Sequence, residues 1–124
     1  NIADRLQVLE FAHKLDFQFG FILGNTVVST VPEGEEPGDQ NQNRAVQLCP
    51  QQGDNFEKTV ELQAWYMKTF KEADFFEEFA ADWGACHCGK CGVKDYMRYV
   101  EEFARRLSEQ NKSAPLYAST WSIS

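Results

Sequence analysis

One cluster of residues has the types and spacing to carry out chemistry. Cys86, His87, Cys88 and Cys91 fall within six residues, and the fourth cysteine of the chain, Cys49, lies far upstream. Two thiolates three positions apart can hold one tetrahedral metal ion, and the neighbouring glycines let the backbone turn tightly around it. Structural zinc ions bind four protein ligands. We therefore predict a four-cysteine zinc site formed by Cys49, Cys86, Cys88 and Cys91, with His87 as an alternate ligand.

The core of the cluster, Cys-Gly-Lys-Cys-Gly over residues 88–92, resembles the knuckles of zinc ribbons and treble clefs. This resemblance implies a structural zinc ion held by paired cysteines. It covers these residues alone, and the second paired knuckle of those families has no counterpart in the chain. The resemblance therefore carries no function over to this protein.

A thiol–disulfide oxidoreductase that uses Cys88 and Cys91 is a second interpretation of the same residues. Trp83 precedes a Cys-x-x-Cys that leads into a predicted helix, and a helix N-terminus lowers the pKa of a nearby thiol. Redox motifs of this kind lie beside a βαβ pattern. Residues 74–83 predict a helix rather than a strand, so the sequence favours the metal site.

The sequence contains no arrangement of residues typical of an enzyme. Zinc deaminases combine Cys-x-x-Cys with His-x-Glu, and no glutamate follows His13 or His87 at that spacing. The His-Glu-x-x-His motif of metalloproteases is also missing. His13 lies on the apolar stripe of a predicted helix, which is typical of a histidine packed in the core. These observations favour a protein that is not an enzyme.

The charge of the chain limits its partners. With a net charge of −7, the protein is not expected to bind nucleic acid by bulk electrostatic attraction. Residues 84–124 nevertheless hold six Lys or Arg against four Asp or Glu. A third interpretation is therefore a nucleic-acid-binding regulator that uses the basic residues of the knuckle and the last helix. These are Lys90, Lys94, Arg98, Arg105 and Arg106.

The sequence also indicates a location. No run of 18 apolar residues is present, so no membrane span is expected. No basic segment followed by an apolar run marks a secretory signal. Together with cysteines clustered as in metal sites, this predicts an intracellular protein of the cytoplasm or the nucleus.

The first half of the chain alternates between helix and strand signals. Apolar residues recur with helical spacing over residues 2–15 and then with period two over 16–23. Gly24 and Asn25 form a turn signal before a β-branched run over 26–31, which predicts an antiparallel hairpin. A polar loop over residues 32–43 separates this hairpin from a short third strand that ends at Cys49.

The second half predicts helices. Asp54 and Glu57 form a capping-box pattern that starts a helix over residues 54–71. Asp74 and Glu77 repeat the pattern, which predicts a short helix over residues 74–83. Asp95 is expected to cap a last helix of about fifteen residues. The acidic side chains before the cysteine cluster are expected to face solvent, and these are Glu72, Asp74, Glu77, Glu78 and Asp82.

These elements predict an α+β fold: a small antiparallel sheet over roughly residues 17–49, packed against three or four helices and pinned by the zinc site. A chain of 124 residues is long enough for one domain with a hydrophobic core. We predict a zinc-stabilised domain over residues 1–112 and a polar C-terminal tail over 113–124. The predicted function is regulatory, by protein–protein binding, a profile that viral and accessory regulatory proteins share.

Overall fold

A computed structural model describes residues 1–24, 49–79, 90–110 and 113–119. These residues form three helices and three strands that alternate after the first helix. In chain order they are α1 (Ile2–Lys14), β1 (Gly20–Gly24), α2 (Asn55–Thr69), β2 (Phe75–Phe79), α3 (Val93–Glu109) and β3 (Leu116–Ala118).

The three strands form one parallel sheet in the order β1-β2-β3. Gly20 of β1 lies opposite Phe75 of β2, and Phe76 of β2 lies opposite Leu116 of β3. Parallel neighbours require a crossover connection, and α3 lies in the crossover from β2 to β3. β2, α3 and β3 therefore form a βαβ unit, and the cysteine cluster lies between β2 and α3 in the chain.

The hydrophobic core lies between this sheet and the two helices α2 and α3. The helices run side by side in the same direction, since Phe56 stacks on Tyr99 near their N-terminal ends and Gln110 donates to the Ala64 carbonyl near their C-terminal ends. Side chains from both helices and from the sheet form one buried cluster: Leu23, Val60, Met67, Phe70, Ala73, Phe76, Tyr99, Phe103 and Leu107.

The predicted antiparallel sheet over residues 17–49 is wrong, because β1 pairs in parallel with β2, far along the chain. The predicted partner strand over 26–31 lies outside the described residues, as does most of the strand predicted to end at Cys49. The zinc pin that formed part of the fold prediction is not found among the described residues either, and these leave out Cys86, His87 and Cys88. Within the described ranges, no group of three or more His, Cys, Asp or Glu residues is placed to hold a metal ion.

The helix predicted over residues 74–83 is also wrong, since Phe75–Phe79 forms the central strand β2. The Asp74 carboxylate does not cap a helix. It accepts a hydrogen bond from the Phe19 amide at 2.7 Å and contacts His13 Nε2 at 2.9 Å, which fixes β1 beside β2. The aromatic residues of the segment suit a pleated sheet, and the Phe75 ring lies so close over Gly20 that a Cβ there would clash with it.

The predictions for helices α1, α2 and α3 are confirmed, except that the N-cap of α3 is Gly92 and not Asp95. α1 ends in a Schellman motif, in which Asp16 adopts a left-handed conformation (φ 58°) and the Phe17 amide donates to the Ala12 carbonyl. α2 forms without the predicted capping box, because Asp54 pairs with Lys58 instead. His13 is not a core residue, since its side chain is 39% exposed and pairs with Asp74.

The segment from Ser113 onward, predicted as a polar tail, contributes β3 to the sheet. Tyr96 of α3 secures its end, because its hydroxyl donates to the Ser119 carbonyl at 2.7 Å and lies 3.2 Å from the Glu78 carbonyl. The first turns of α3 therefore lie at the carboxyl ends of β2 and β3.

Candidate metal centre

The fold brings Cys49 and Cys91 together, although 42 positions separate them in the chain. Their sulfur atoms lie 3.6 Å apart, and both residues are half-buried. Cys49 precedes the turn that leads into α2, and Cys91 precedes Gly92, the N-cap of α3. Because α2 and α3 pack side by side with their N-terminal ends together, the two cysteines meet there.

A hydrogen-bond network holds the two cysteine segments against each other. Gln51 Nε2 donates to the Lys90 carbonyl at 3.3 Å and to the Asp95 carboxylate at 3.3 Å. Asn55 Nδ2 donates to the Cys49 carbonyl at 3.1 Å. The Asp95 carboxylate also accepts the Gly92 amide at 2.9 Å, which fixes the start of α3. We call Cys49, Gln51, Asn55, Cys91 and Asp95 the cysteine corner.

The sulfur–sulfur distance suits two ligands of one tetrahedral metal ion. With zinc–sulfur bonds of about 2.3 Å, two thiolates on the same zinc lie about 3.8 Å apart. The 3.6 Å between Cys49 and Cys91 is close to that value. Asp95 does not complete a group of three with them among the described residues. The cysteine corner therefore offers two ligands of the predicted set.

The other predicted ligands, Cys86, His87 and Cys88, lie outside the described residues. In the chain, all three lie in the connection that leads from β2 to α3, and Cys88 is three positions before Cys91. This connection follows the carboxyl end of a central parallel strand. In open parallel sheets that edge is where ligands bind.

Glu78 of β2 is a second unusual polar group near the first turns of α3. Its side chain is fully buried, and neither carboxylate oxygen has a hydrogen-bond partner within the described ranges. Burial raises the pKa of this carboxyl group to about 9. The expectation that Glu78 faces solvent is wrong, because a strand places it on the same face as the buried Phe76.

The arginines proposed for nucleic-acid binding have acidic partners. Arg105 pairs with Glu102 and Glu109, and Arg106 pairs with Glu102 and with Glu61 of α2. The side-chain hydrogen bond from Arg105, with a second from Arg106, lowers the pKa of Glu102 to about 2.

Arg98 lies 4.2 Å above the Phe56 ring and 3.9 Å from the Asp95 carboxylate. Like Arg105 and Arg106, Arg98 therefore already contacts side chains of this protein. The nucleic-acid interpretation gains no support from this face of α3.

Sequence reasoning missed two residues of the cysteine corner, Gln51 and Asn55, and it missed the burial of Glu78. Gln51 and Asn55 carry no motif that marks them, since their partners are main-chain groups and a carboxylate distant in sequence. Glu78 could have been recognised only from the strand that contains it, because alternation along β2 places it beside Phe76.

Comparison with protein-family models, with curated proteins and with solved structures finds no match for this chain. The site is therefore interpreted from its own geometry. Within the described ranges, none of the helices has both the length and the apolar character needed to cross a membrane.

Proposed function

We propose that this chain is a non-enzymatic regulatory domain that binds a partner protein and in which Cys49 and Cys91, together with Cys86 and Cys88, hold a structural zinc ion. The observation that carries the proposal is the 3.6 Å between the sulfur atoms of Cys49 and Cys91. The hydrogen bonds from Gln51 to the Lys90 carbonyl and to the Asp95 carboxylate support it, because they hold the two cysteine segments against each other. His87 remains the alternate ligand.

The chemistry of the donor set supports a structural role. Four thiolates would fill all four positions of a tetrahedral zinc ion, whereas catalytic zinc keeps one position open for water or substrate. A site of this kind links the segment before α2 to the start of α3, so metal binding would stabilise the packing of these two helices. The intracellular location that we propose would keep the thiols reduced.

The surface supports the interaction role. Several large apolar side chains outside the core are more than half exposed, among them Phe11 of α1, Phe17, Ile22 of β1 and Tyr117 of β3. Parallel sheets are normally covered on both faces. Ile22 and Tyr117 lie on the face of the sheet opposite α2 and α3. An apolar surface of this kind is typical of protein–protein contacts.

Elemental analysis of protein purified without added zinc tests the metal site. We expect one zinc per chain in the wild type and its loss in both Cys49→Ser and Cys91→Ser. His13→Ala is the matched control, because it removes a potential ligand that pairs with Asp74 instead. Wild-type protein without metal, or zinc retained by Cys49→Ser, would contradict the proposal.

Affinity capture with surface variants tests the interaction role. Proteins that bind through the apolar side chains of α1 should be retained by the wild type and lost with Phe11→Asp. Gln7→Asp introduces the same charge at an exposed polar position of the same helix and serves as the control. A set of retained proteins that is the same for all three would count against α1 as the binding surface.

A thiol–disulfide oxidoreductase using Cys88 and Cys91 is the second candidate, and one observation favours it. The sequence argued against this function because no βαβ pattern was expected, yet β2, α3 and β3 form such a unit, and Cys88 and Cys91 precede its helix in the chain. This function requires a reversible Cys88–Cys91 disulfide and turnover in an insulin-reduction assay. Zinc-loaded protein without such turnover would leave the structural metal site as the better explanation.

A further inference from the structure

The distance between Cys49 and Cys91 has a consequence in the absence of metal. Their sulfur atoms are in van der Waals contact, and a disulfide requires them to approach by roughly a further 1.5 Å. Side-chain rotation can supply such a movement while the hydrogen bonds of Gln51 and Asn55 keep the two segments in place.

We propose that Cys49 and Cys91 are a disulfide-forming pair, so that oxidation of the metal-free protein joins the segment before α2 to the start of α3. This pair differs from the Cys88–Cys91 pair of an oxidoreductase. The disulfide rests on the geometry of the cysteine corner. Its competition with zinc rests on the proposed function, because both states use the same two sulfur atoms.

The oxidant is a low-molecular-weight disulfide such as glutathione disulfide. One protein thiolate attacks a sulfur of the oxidant, whose disulfide bond breaks and releases one glutathione thiolate. The second protein thiolate then attacks the protein sulfur of this mixed disulfide and releases the second glutathione. The Cys49–Cys91 bond forms, two electrons pass from the protein to the oxidant, and the two thiol protons go to the two glutathione thiolates or to buffer.

The fold, not the chain connectivity, must select this pair. In an unfolded chain, loop-closure entropy favours pairing of cysteines a few positions apart over a pair 42 positions apart by more than roughly tenfold. Folded and denatured protein should therefore yield different disulfides from the same cysteines.

Peptide mapping separates the possible disulfides, because trypsin cleaves after Lys90. Cys49 then lies in peptide 45–58, Cys86 and Cys88 in peptide 72–90, and Cys91 in peptide 91–94. The full chain is treated with a chelator, oxidised with glutathione disulfide, alkylated and digested without reduction. The main cross-link should join 45–58 to 91–94. After oxidation in guanidinium chloride, cross-links within 72–90 or from 72–90 to 91–94 should instead exceed it by more than roughly tenfold.

The same mapping on zinc-loaded protein separates the two proposals. Suppression of the 45–58 to 91–94 cross-link by zinc is expected if both hold. The same cross-link with and without zinc would support the disulfide pair and contradict the metal site. In folded metal-free protein, any main cross-link that involves peptide 72–90, or no cross-link, would overturn the disulfide pair and leave the zinc measurement to decide the metal site.

Discussion

The cysteine corner and Glu78 are two polar regions near the first turns of α3. They differ in the hydrogen-bond partners that the described residues offer them. In the cysteine corner, the Asp95 carboxylate accepts hydrogen bonds from the Gly92 amide and from Gln51. At Glu78, both carboxylate oxygens are buried without a partner among the described residues. Tyr99 lies near both regions. Burial raises the pKa of Tyr99, and the charges of Glu78 and Cys91 raise it further.

The hydrogen bonds of the cysteine corner therefore stabilise the fold, whereas the buried carboxyl group of Glu78 lowers its stability. Buried polar groups stabilise a protein only when their hydrogen bonds are made, and an ionised carboxylate without partners is especially unfavourable. The cysteine corner is therefore pre-organised around its two sulfur atoms. The Glu78 carboxyl group costs the folded state less free energy while it holds a proton than when it is ionised.

The largest expected effect comes from Glu78→Gln. The folded-state pKa of about 9 lies above the ordinary value of 4.5. The folded state therefore keeps a proton that the unfolded state loses, so stability is greatest below 4.5, falls as pH rises through this window and levels off above 9. At pH 7 the free energy of unfolding is lower by about 3 kcal/mol than below pH 4.5, because it falls by about 1.4 kcal/mol per pH unit across this window.

Gln cannot ionise, so the variant should unfold with little pH dependence across that window and should be more stable than the wild type at about pH 8. Chemical denaturation at several pH values measures both effects. Glu77→Gln, at the adjacent position of β2 whose side chain is only half-buried, is the control and should keep the slope of the wild type. If the free energy of unfolding changed equally with pH in all three proteins, the contrast between Glu78 and the cysteine corner would be lost.

A smaller effect is expected from Asp95→Ala, which breaks the cysteine corner. The change removes the acceptor of the Gly92 amide and of Gln51, and it should lower the free energy of unfolding by about 2 kcal/mol. Under the proposed function it should also weaken zinc binding about tenfold or more, as loss of a supporting hydrogen bond does at other metal sites. Denaturation and zinc titration with a competing chelator measure the two effects. Glu101→Ala, exposed on the same helix, should leave both unchanged.

The parts of the fold that the sequence predicted well are those with a local signal. α1, α2 and α3 each repeat apolar residues with helical spacing over at least three turns. In α2 and α3 the repeat also indicates the buried face, whereas most apolar side chains of α1 are exposed. The distinctive spacing of the cysteines singled out Cys91, and Cys49 was included only because a zinc site needs four ligands. The meeting of these two residues depends on the packing of α2 against α3, which no local pattern encodes.

The sheet could not be predicted from local patterns. β2 is a short run in which Glu77, together with the preceding Asp74, matches a helix cap, and its pairing partner β1 lies far upstream. The choice between helix and strand was therefore decided by tertiary contacts, including the hydrogen bond from the Phe19 amide to Asp74. The helical period predicted for residues 74–83 also led to the wrong prediction that Glu78 is exposed, because only the period of two of a strand places Glu78 on the buried face.

The smallest expected effect comes from Tyr96→Phe. This variant tests the hydrogen bond to the main-chain carbonyl of Glu78 separately from the effect of its buried carboxyl group. The Tyr96 hydroxyl is in hydrogen-bond contact with the carbonyls of Glu78 and Ser119. Its loss should lower the free energy of unfolding by about 1 kcal/mol, measured by denaturation. Tyr117→Phe, on the exposed face of the sheet, should have almost no effect.

The double variant Tyr96→Phe with Glu78→Gln sharpens the comparison further. If the main chain at Glu78 is satisfied independently of the buried carboxyl group, the two changes should add within about 0.5 kcal/mol at about pH 5, where that group is protonated. At higher pH, near pH 8, a fraction of the Glu78 carboxyl groups is ionised in the folded state. Burial raises the pKa of Tyr96 to about 12, and the charge of Glu78 contributes to this rise.

The measurement at pH 5 decides between the two cases. A coupling larger than about 1 kcal/mol at that pH would mean that the Tyr96 hydroxyl also stabilises the carboxyl group. Glu78 would then belong to a network like that of the cysteine corner.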